Sequence, residues 1–477
     1  MRRPAAAALA LAALAALPAP AGAQAPAACL GDTSADGVPR LPGPALRFGI
    51  NPAGEAGALG PRVEHVPDDP ARTLAALARL RAPRTSLVVR LNRFFWSDGE
   101  AGIQRFLALA RRYASADHPV ELQLRYHPRP EQEGKVDEFV AWVRDVVRRL
   151  GADPRVIAVQ VTNEVNLTFS PDSSDGAYAG ARDALVQGVI AAKDEARRRG
   201  YSWLTVGFNW VYRTDPANED SFWSALRDRG GPRFAAAVDW VGLDAYPGTF
   251  FPPAEAPGGE RDGMVSAMSQ LRRCFLPKAG IPDRVPIHVE ENGWPTGPGR
   301  SEERQVEAMG LMVGAVQDFR GTYNVTDYRW FDLRDHRSTS TNFQHHYGLL
   351  RDDYSPKPAF EAYRALVASL ARREAAPTGT RPRLALRLRS RIGRSRGRPC
   401  ARRPVRGHVV GADLASVRRV LFRLGPLSAG RDVRAPFSRR LPVPRSGRPR
   451  TYGVRARVRL RDGRLLTLRR KLLACQG

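Results

Sequence analysis

Two carboxylates stand out by where they fall in the chain. Glu164 follows a short apolar run in Val156–Asn166 (VIAVQVTNEVN), long enough for a strand and too short for a helix. Glu291 closes a second such run, in PIHVEENGWPTG. Parallel strands covered on both faces read as continuous apolar runs. In an α/β barrel the carboxyl ends of the strands are where chemistry sits. A carboxylate at each of two such ends is what cleavage of a glycosidic bond requires: one protonates the departing oxygen, the other attacks the sugar carbon or activates a water. A lone Glu at a strand end reads as a solvated loop carboxylate, so the pairing carries the argument. Asn163 sharpens it, because an amide beside the acid can hold the sugar 2-hydroxyl. At the second strand Glu290 and Glu291 are adjacent, and neighbouring strand residues face opposite sides. Only one of them should therefore point into a barrel mouth.

Strand-like and helix-like runs alternate around this pair. Candidate strands are Leu46–Asn51, Ser86–Leu91, Val120–Tyr126, the run before Glu164, Leu204–Trp210, Val238–Tyr246, Ile287–Glu291 and Tyr328–Leu333. Between and after them, helical periodicity marks Arg72–Leu80, Ile103–Tyr113, Val136–Leu150, Tyr178–Arg199, Asp220–Asp228, Gly263–Cys274, Glu302–Phe319 and Pro358–Leu370, with Gly151 and Gly200 placed as stops. Eight such pairs predict an α/β fold of the (β/α)8 TIM barrel type over residues 45–372. A doubly wound open sheet is the alternative, and it would call for a Gly-rich phosphate loop after an early strand, which the sequence lacks.

Composition divides the chain. Of the formal net charge of +27, residues 377–477 carry 29 Lys+Arg against Asp413, Asp432 and Asp462, a balance of +26. The shift falls at Pro377-Thr378-Gly379, so residues 373–382 read as a linker. Beyond it, Leu384–Ile392, Val417–Leu424 and Val454–Leu460 alternate apolar residues with arginine or small residues, with turn-like breaks at Pro436-Phe437 and Asp462-Gly463. That pattern predicts a small all-β domain over 383–477, an immunoglobulin-like sandwich in size. At the other end, Arg2 and Arg3, an Ala/Leu run and Ala21-Gly22-Ala23 read as a secretory signal peptide over 1–25, followed by an extended lead-in over 26–44. Export, with a secreted or cell-envelope location, permits disulfides. Four cysteines allow three pairings. Cys400–Cys475 is favoured because both lie in the basic region, leaving Cys29–Cys274 as a tie to the barrel. No cysteine pair has metal-ligand spacing, and neither a metal nor another cofactor is expected.

The Asn163-Glu164 pair and the run Glu291-Asn292-Gly293-Trp294-Pro295 together resemble clan A glycoside hydrolases, the second run being most similar to the endo-β-1,3-glucanase group. The resemblance spans about residues 45–370 as short motifs. It implies Glu291 as nucleophile, Glu164 as acid/base, and Glu290 as a structural residue behind the strand. It also implies Arg90 near the nucleophile, His127 at the end of strand three, Tyr246 hydrogen-bonded to the nucleophile, and Trp330 as the floor of the sugar site. The tail motifs Tyr347-Gly348-Leu349-Leu350 and Pro356-Lys357-Pro358-Ala359-Phe360 look like the ending common in these enzymes. Val165-Asn166 stand where many members have proline, which leaves the particular family open.

Aromatic residues follow most of the candidate strands: Trp96, Phe169, Trp210, Tyr212, Phe250, Phe251, Trp294 and Trp330. Flat rings pack well on the C–H faces of sugars, and core packing is the competing role for each one. The expected partner is a β-linked oligo- or polysaccharide, with Trp210, Trp294 and Trp330 among its contacts. The basic region is expected to meet anionic cell-wall polymers, acidic polysaccharides or anionic lipid head groups, and export argues against nucleic acid. Two other functions fit the same sequence: a secreted carbohydrate-binding protein without turnover, and an anionic-polymer binder acting through residues 377–477.

Overall fold

The computed structural model describes residues 33–52, 65–81, 85–213, 215–250, 259–375, 383–395, 397–461 and 465–476. The expected signal peptide, Cys29, Phe251, the Pro377–Gly379 junction and the Asp462-Gly463 turn lie outside them. Among the described residues, no helix is long and apolar enough to cross a membrane.

Eight parallel strands close on themselves in sequence order: β1 (Arg47–Ile50), β2 (Val88–Phe95), β3 (Val120–Arg125), β4 (Val156–Val161), β5 (Thr205–Val211), β6 (Trp240–Asp244), β7 (Ile287–Asn292) and β8 (Val325–Trp330). Pairing of Arg47 with Asp327 and of Ile50 with Trp330 closes the ring. The helices follow as α1 (Pro70–Leu80), α2 (Gly99–Ser115), α3 (Val136–Leu150), α4 (Ala181–Arg199), α5 (Pro216–Ala237), α6 (Gly259–Gln270), α7 (Leu276–Lys278), α8 (Glu302–Tyr323) and α9 (Pro358–Ala375). This is the TIM barrel that the alternation of periods predicts. Local chemistry sets the helix ends. Asp69 caps α1 by accepting from the amides of Ala71 and Arg72, with Pro70 in the first turn. Ser301 accepts from the Arg304 amide at the start of α8. Gly200 ends α4 at φ 74°, a left-handed position that costs glycine nothing.

Barrel interiors are usually packed with branched apolar residues. This one is polar. In β3, Glu121, Gln123 and Arg125 alternate with Leu122 and Leu124, and all five are buried. Contacts between strands that are not neighbours can only cross the interior, and several of them pair guanidinium with carboxyl groups. Arg90 on β2 reaches Glu290 on β7 at 3.3 Å, and Arg329 on β8 reaches Glu121 on β3 at 3.0 Å. The apolar mass lies instead between barrel and helices, where Phe208, Trp210, Trp223, Phe234 and Phe275 pack in one cluster.

The eighth strand lies three residues earlier than expected, at Val325–Trp330 rather than Tyr328–Leu333. The polar barrel interior is the reason. Asp327 and Arg329 point inward, paired with each other at 2.8 Å, and interrupt the apolar run that would have marked the strand.

The C-terminal unit is all β: β9 (Leu384–Ser395), β10 (Arg398–Gly411), β11 (Val417–Leu424), β12 (Leu427–Asp432), β13 (Ser438–Arg440), β14 (Arg450–Leu460) and β15 (Leu465–Ala474). Hydrogen bonding runs in the order β12-β11-β14-β15-β10-β13, with β9 on the other side of β10. One parallel bridge, Ala401 to Ala474, carries the ladder from β15 to β10, and the Cys400–Cys475 disulfide sits beside it. The strands enclose a core of Leu386, Val405, Val409, Val420, Phe422, Val454, Ala456, Val458 and Leu472. Gly407 of β10 faces Phe422 of β11 so closely that an added Cβ would stand 3.2 Å from the ring. Cys274 is also disulfide-bonded, while Cys29, its expected partner, is outside the described residues.

Candidate active site

Glu164 and Glu291 meet at the carboxyl end of the barrel. Both line one cleft, with Gln123, Asn163, Tyr246 and Phe331 also in its wall. An oxygen of Glu164, one of Glu291 and one of Asp244 all lie within 4.8 Å of one another. Each acid is held differently.

The Glu291 carboxylate accepts from Arg90 Nη1 at 2.8 Å and from the Tyr246 hydroxyl at 2.8 Å. Arg90 is itself completely buried. It also donates to Gln160 at 2.7 Å and lies 3.4 Å from Glu121. The surrounding carboxylates outweigh its burial and hold it as a cation.

Glu164 has a backbone role as well as a carboxyl. It follows β4 in a left-handed conformation at φ 47°, and Thr162, two residues before it, has φ 63°. Side chains in this region are strained and persist only where the surroundings fix them. Here Asn209 accepts from the Glu164 amide at 2.9 Å. Asp175 accepts from the Asn163 amide at 2.9 Å, from the Tyr126 amide at 2.8 Å and from Arg125 at 2.8 Å. Burial, and secondly the Glu291 charge, push the Glu164 carboxyl up to about 8. Asp244 is raised as well, by burial first and then by Glu291 and Glu164. Three carboxyls so close cannot all be anions, so protons are retained among them.

Neighbours Glu290 and Glu291 both turn toward the barrel interior, which corrects the expectation that Glu290 stands behind the strand. Glu290 is fully buried below the mouth, 3.3 Å from Arg90 and 3.2 Å from His288. The cause is an irregularity in β7. Leu243 pairs with Val289 but Asp244 pairs with Glu291, so one extra residue is absorbed and simple alternation is broken. Only Glu291 reaches the cleft.

The other expected site residues divide. Asn163 lines the cleft. Its oxygen accepts from Gln123 at 2.7 Å, Asn209 at 2.7 Å and Gln160 at 3.2 Å, and its nitrogen donates to the Ser173 carbonyl at 2.7 Å. One N–H is left for a ligand. Tyr246 lines the cleft, as do Phe169, Tyr212 and Phe250. His127 is outside its wall, bonded to the Tyr178 hydroxyl at 2.9 Å with its ring 4.6 Å from Phe95. Trp210 donates to Glu219 within the apolar layer, and Trp96 stacks on Tyr126 there. Trp294 is covered by Arg300, 3.9 Å from its ring centre. Trp330 is completely buried against Tyr363. Asp327 and Arg329 face inward, so Trp330, one residue on, is an outward residue of the strand, and Phe331 after it lines the cleft instead.

Sequence reasoning missed Gln123, Asn209, Asp244 and Phe331 as parts of the site. The first three are polar residues whose immediate neighbours in the strand are apolar, a pattern that could have found them. Among the described residues, two clusters bring three possible metal-ligand atoms within 4.8 Å of one another: Glu164, Asp244 and Glu291, and Glu121, His288 and Glu290. Arg90 touches both and supplies the positive charge that a metal would.

No family model and no curated protein matches the chain. Among solved structures, it is similar to GH5_18 from Streptomyces cattleya at 16% identity and a TM-score of 0.47, covering 72% of this chain and 83% of that one. The glycoside hydrolase family 17 β-1,3-glucanosyltransferase from Rhizomucor miehei matches at 18% identity and a TM-score of 0.41, covering 65% of this chain and 96% of that one. A β-glucuronidase from Bacteroides uniformis matches at 13% identity and a TM-score of 0.42, covering 86% of this chain. The chain spans 43% of that protein's length.

Proposed function

We propose that this chain is a secreted glycoside hydrolase that cleaves β-linked glycans with retention of configuration, Glu291 acting as nucleophile and Glu164 as acid/base. The observation that carries the reading is the closeness of two unlike carboxyls, with oxygens within 4.8 Å. Retaining enzymes hold the pair about 5–5.5 Å apart, whereas inverting enzymes leave ~6.5–9.5 Å for a water. In the first step a Glu291 oxygen bonds to the anomeric carbon while the bond to the leaving oxygen breaks. That oxygen takes the Glu164 proton. In the second step Glu164 removes a proton from water, the hydroxide oxygen bonds to the same carbon, and Glu291 leaves as carboxylate. Two displacements at one carbon restore the starting configuration. Arg90 and Tyr246 orient Glu291, since donors at both its oxygens fix the rotation of the carboxylate.

Two inversions in series fix the expected product: the first sugar released from a β-glycan carries the β configuration, as proton NMR taken before mutarotation reads directly. Release of the α anomer would overturn the retaining assignment. Tyr246→Phe removes one donor to the nucleophile. A hydrogen bond to a charged group is worth ~1.5–3 kcal/mol, so kcat/KM should fall roughly 10- to 150-fold with the fold intact by circular dichroism. Export is supported by the Cys400–Cys475 disulfide, a bond that persists in oxidising compartments.

A further inference from the structure

The outer surface of the C-terminal domain is ordered, and its order is electrostatically unfavourable. Along β14, Val454, Ala456, Val458 and Leu460 turn into the core, so Arg455, Arg457 and Arg459 project outward. Register then sets like charges beside one another. Arg455 pairs with Arg423 on β11 and with Arg469 on β15, a row of three guanidinium groups across three strands. Arg459 pairs with Arg419 on the same face. Neighbouring strands are about 4.7–4.9 Å apart, and like charges directly opposite destabilise a sheet. Among the described residues the domain's arginines make one ion pair with an acid, Arg439 with Asp432 at 3.8 Å, and it is off this face. Arg423, Arg455 and Arg469 are exposed.

A fold that lines up repelling charges is relieved by a bound polyanion. We propose that the solvent face of β11, β14 and β15 is a docking surface for a linear acidic polysaccharide, whose carboxylates are held by guanidinium forks of the arginine rows. Guanidinium matches a carboxylate with two parallel hydrogen bonds. The partner's shape follows from the face. Leu421, Leu465 and Thr467 lie between the cations, and among the described residues of this face no aromatic ring stands to stack a nucleic-acid base. Two leucines are also too little apolar surface for membrane insertion. The choice of a polysaccharide over another polyanion rests on the glycosidase reading of the barrel.

The test uses the full chain and reads binding, so it is independent of turnover. Immobilised polyglucuronate is the probe, with dextran as neutral control. Binding to polyglucuronate is expected, at least ~10-fold weaker at ~200 mM salt than at ~50 mM, as charge neutralisation requires. Arg455→Gln should weaken it at least fivefold and Arg455→Lys much less. At low salt Arg455→Gln should also melt higher than the natural protein, because it removes repulsion from the row. That rise shows a folded variant and separates a binding row from a structural one. Equal binding by Arg455→Gln overturns the assignment of the face. Absence of binding to polyglucuronate, or binding only to an oligonucleotide or to phosphatidylglycerol vesicles, overturns the polysaccharide. Loss of glycosidase activity with binding intact would sink the reading of the barrel and leave the charged face standing.

Discussion

Glu291→Ala should stop turnover, by more than the ~10⁴-fold that general acid–base assistance supplies, because it removes the atom that forms the covalent bond. Azide should restore part of the rate on an aryl β-glycoside. It fits the space of the deleted carboxylate, attacks the anomeric carbon once and leaves a glycosyl azide of inverted configuration. The neighbouring Glu290→Ala should behave differently. Glu290 lies below the mouth against Arg90 and His288, so its loss leaves charge unbalanced in the barrel interior. Breaking a buried pair costs ~3–5 kcal/mol, and a lowered melting temperature is the expected primary effect. Azide should not rescue it. Rescue of Glu290→Ala, with none for Glu291→Ala, would reverse the two roles.

Glu164 yields the second large effect, and its sign follows from its environment. Burial and the Glu291 charge raise the carboxyl to about 8, so below that pH it holds the proton that the leaving oxygen needs. As pH rises through about 8 the proton is lost, and kcat/KM, which reports the free enzyme, should fall on that limb. Glu164→Ala should lack this limb. It should also lose on the order of 10²–10⁴-fold on glycans, whose leaving groups need protonation, and far less for the first step on a 2,4-dinitrophenyl glycoside, whose leaving group does not. An unchanged limb in Glu164→Ala would assign the titration to another group.

Both predictions concern residues that are legible in the amino-acid sequence. The alternation of helical and strand periods is enough for the barrel, with Val136–Leu150 and the start of β4 at Val156 falling at their true positions. Glu164 and Glu291 stand out because each ends an apolar run. Several departures share one cause. Polar residues face the barrel axis on several strands, so inward positions look like interruptions of a strand. That displaces β8 and, with it, Trp330, and it hides Gln123, Asn209 and Asp244. Glu290 departs for a different reason: the alternation rule is sound, but a register irregularity suspends it at that residue. Counting aromatics overstates the cleft because Trp96, Trp210 and Trp330 belong to the layer between barrel and helices, and no spacing within one strand tells outward from inward without a register.

Guanidinium and carboxyl groups alternate in a column that runs from the part-exposed Arg47 through the barrel interior. Arg47 lies 2.6 Å from Asp327, Asp327 2.8 Å from Arg329, Arg329 3.0 Å from Glu121, Glu121 3.4 Å from Arg90, and Arg90 2.8 Å from Glu291. A neutral substitution at Asp327, Arg329, Glu121 or Arg90 takes one partner from the groups on either side of it. Descent with modification therefore has a narrow passage here: the column changes two members at a time or hardly at all. Among descendants of such a chain these positions would vary as linked couples, inherited together like the teeth of two meshed gears, while the apolar layer around them drifts one residue at a time.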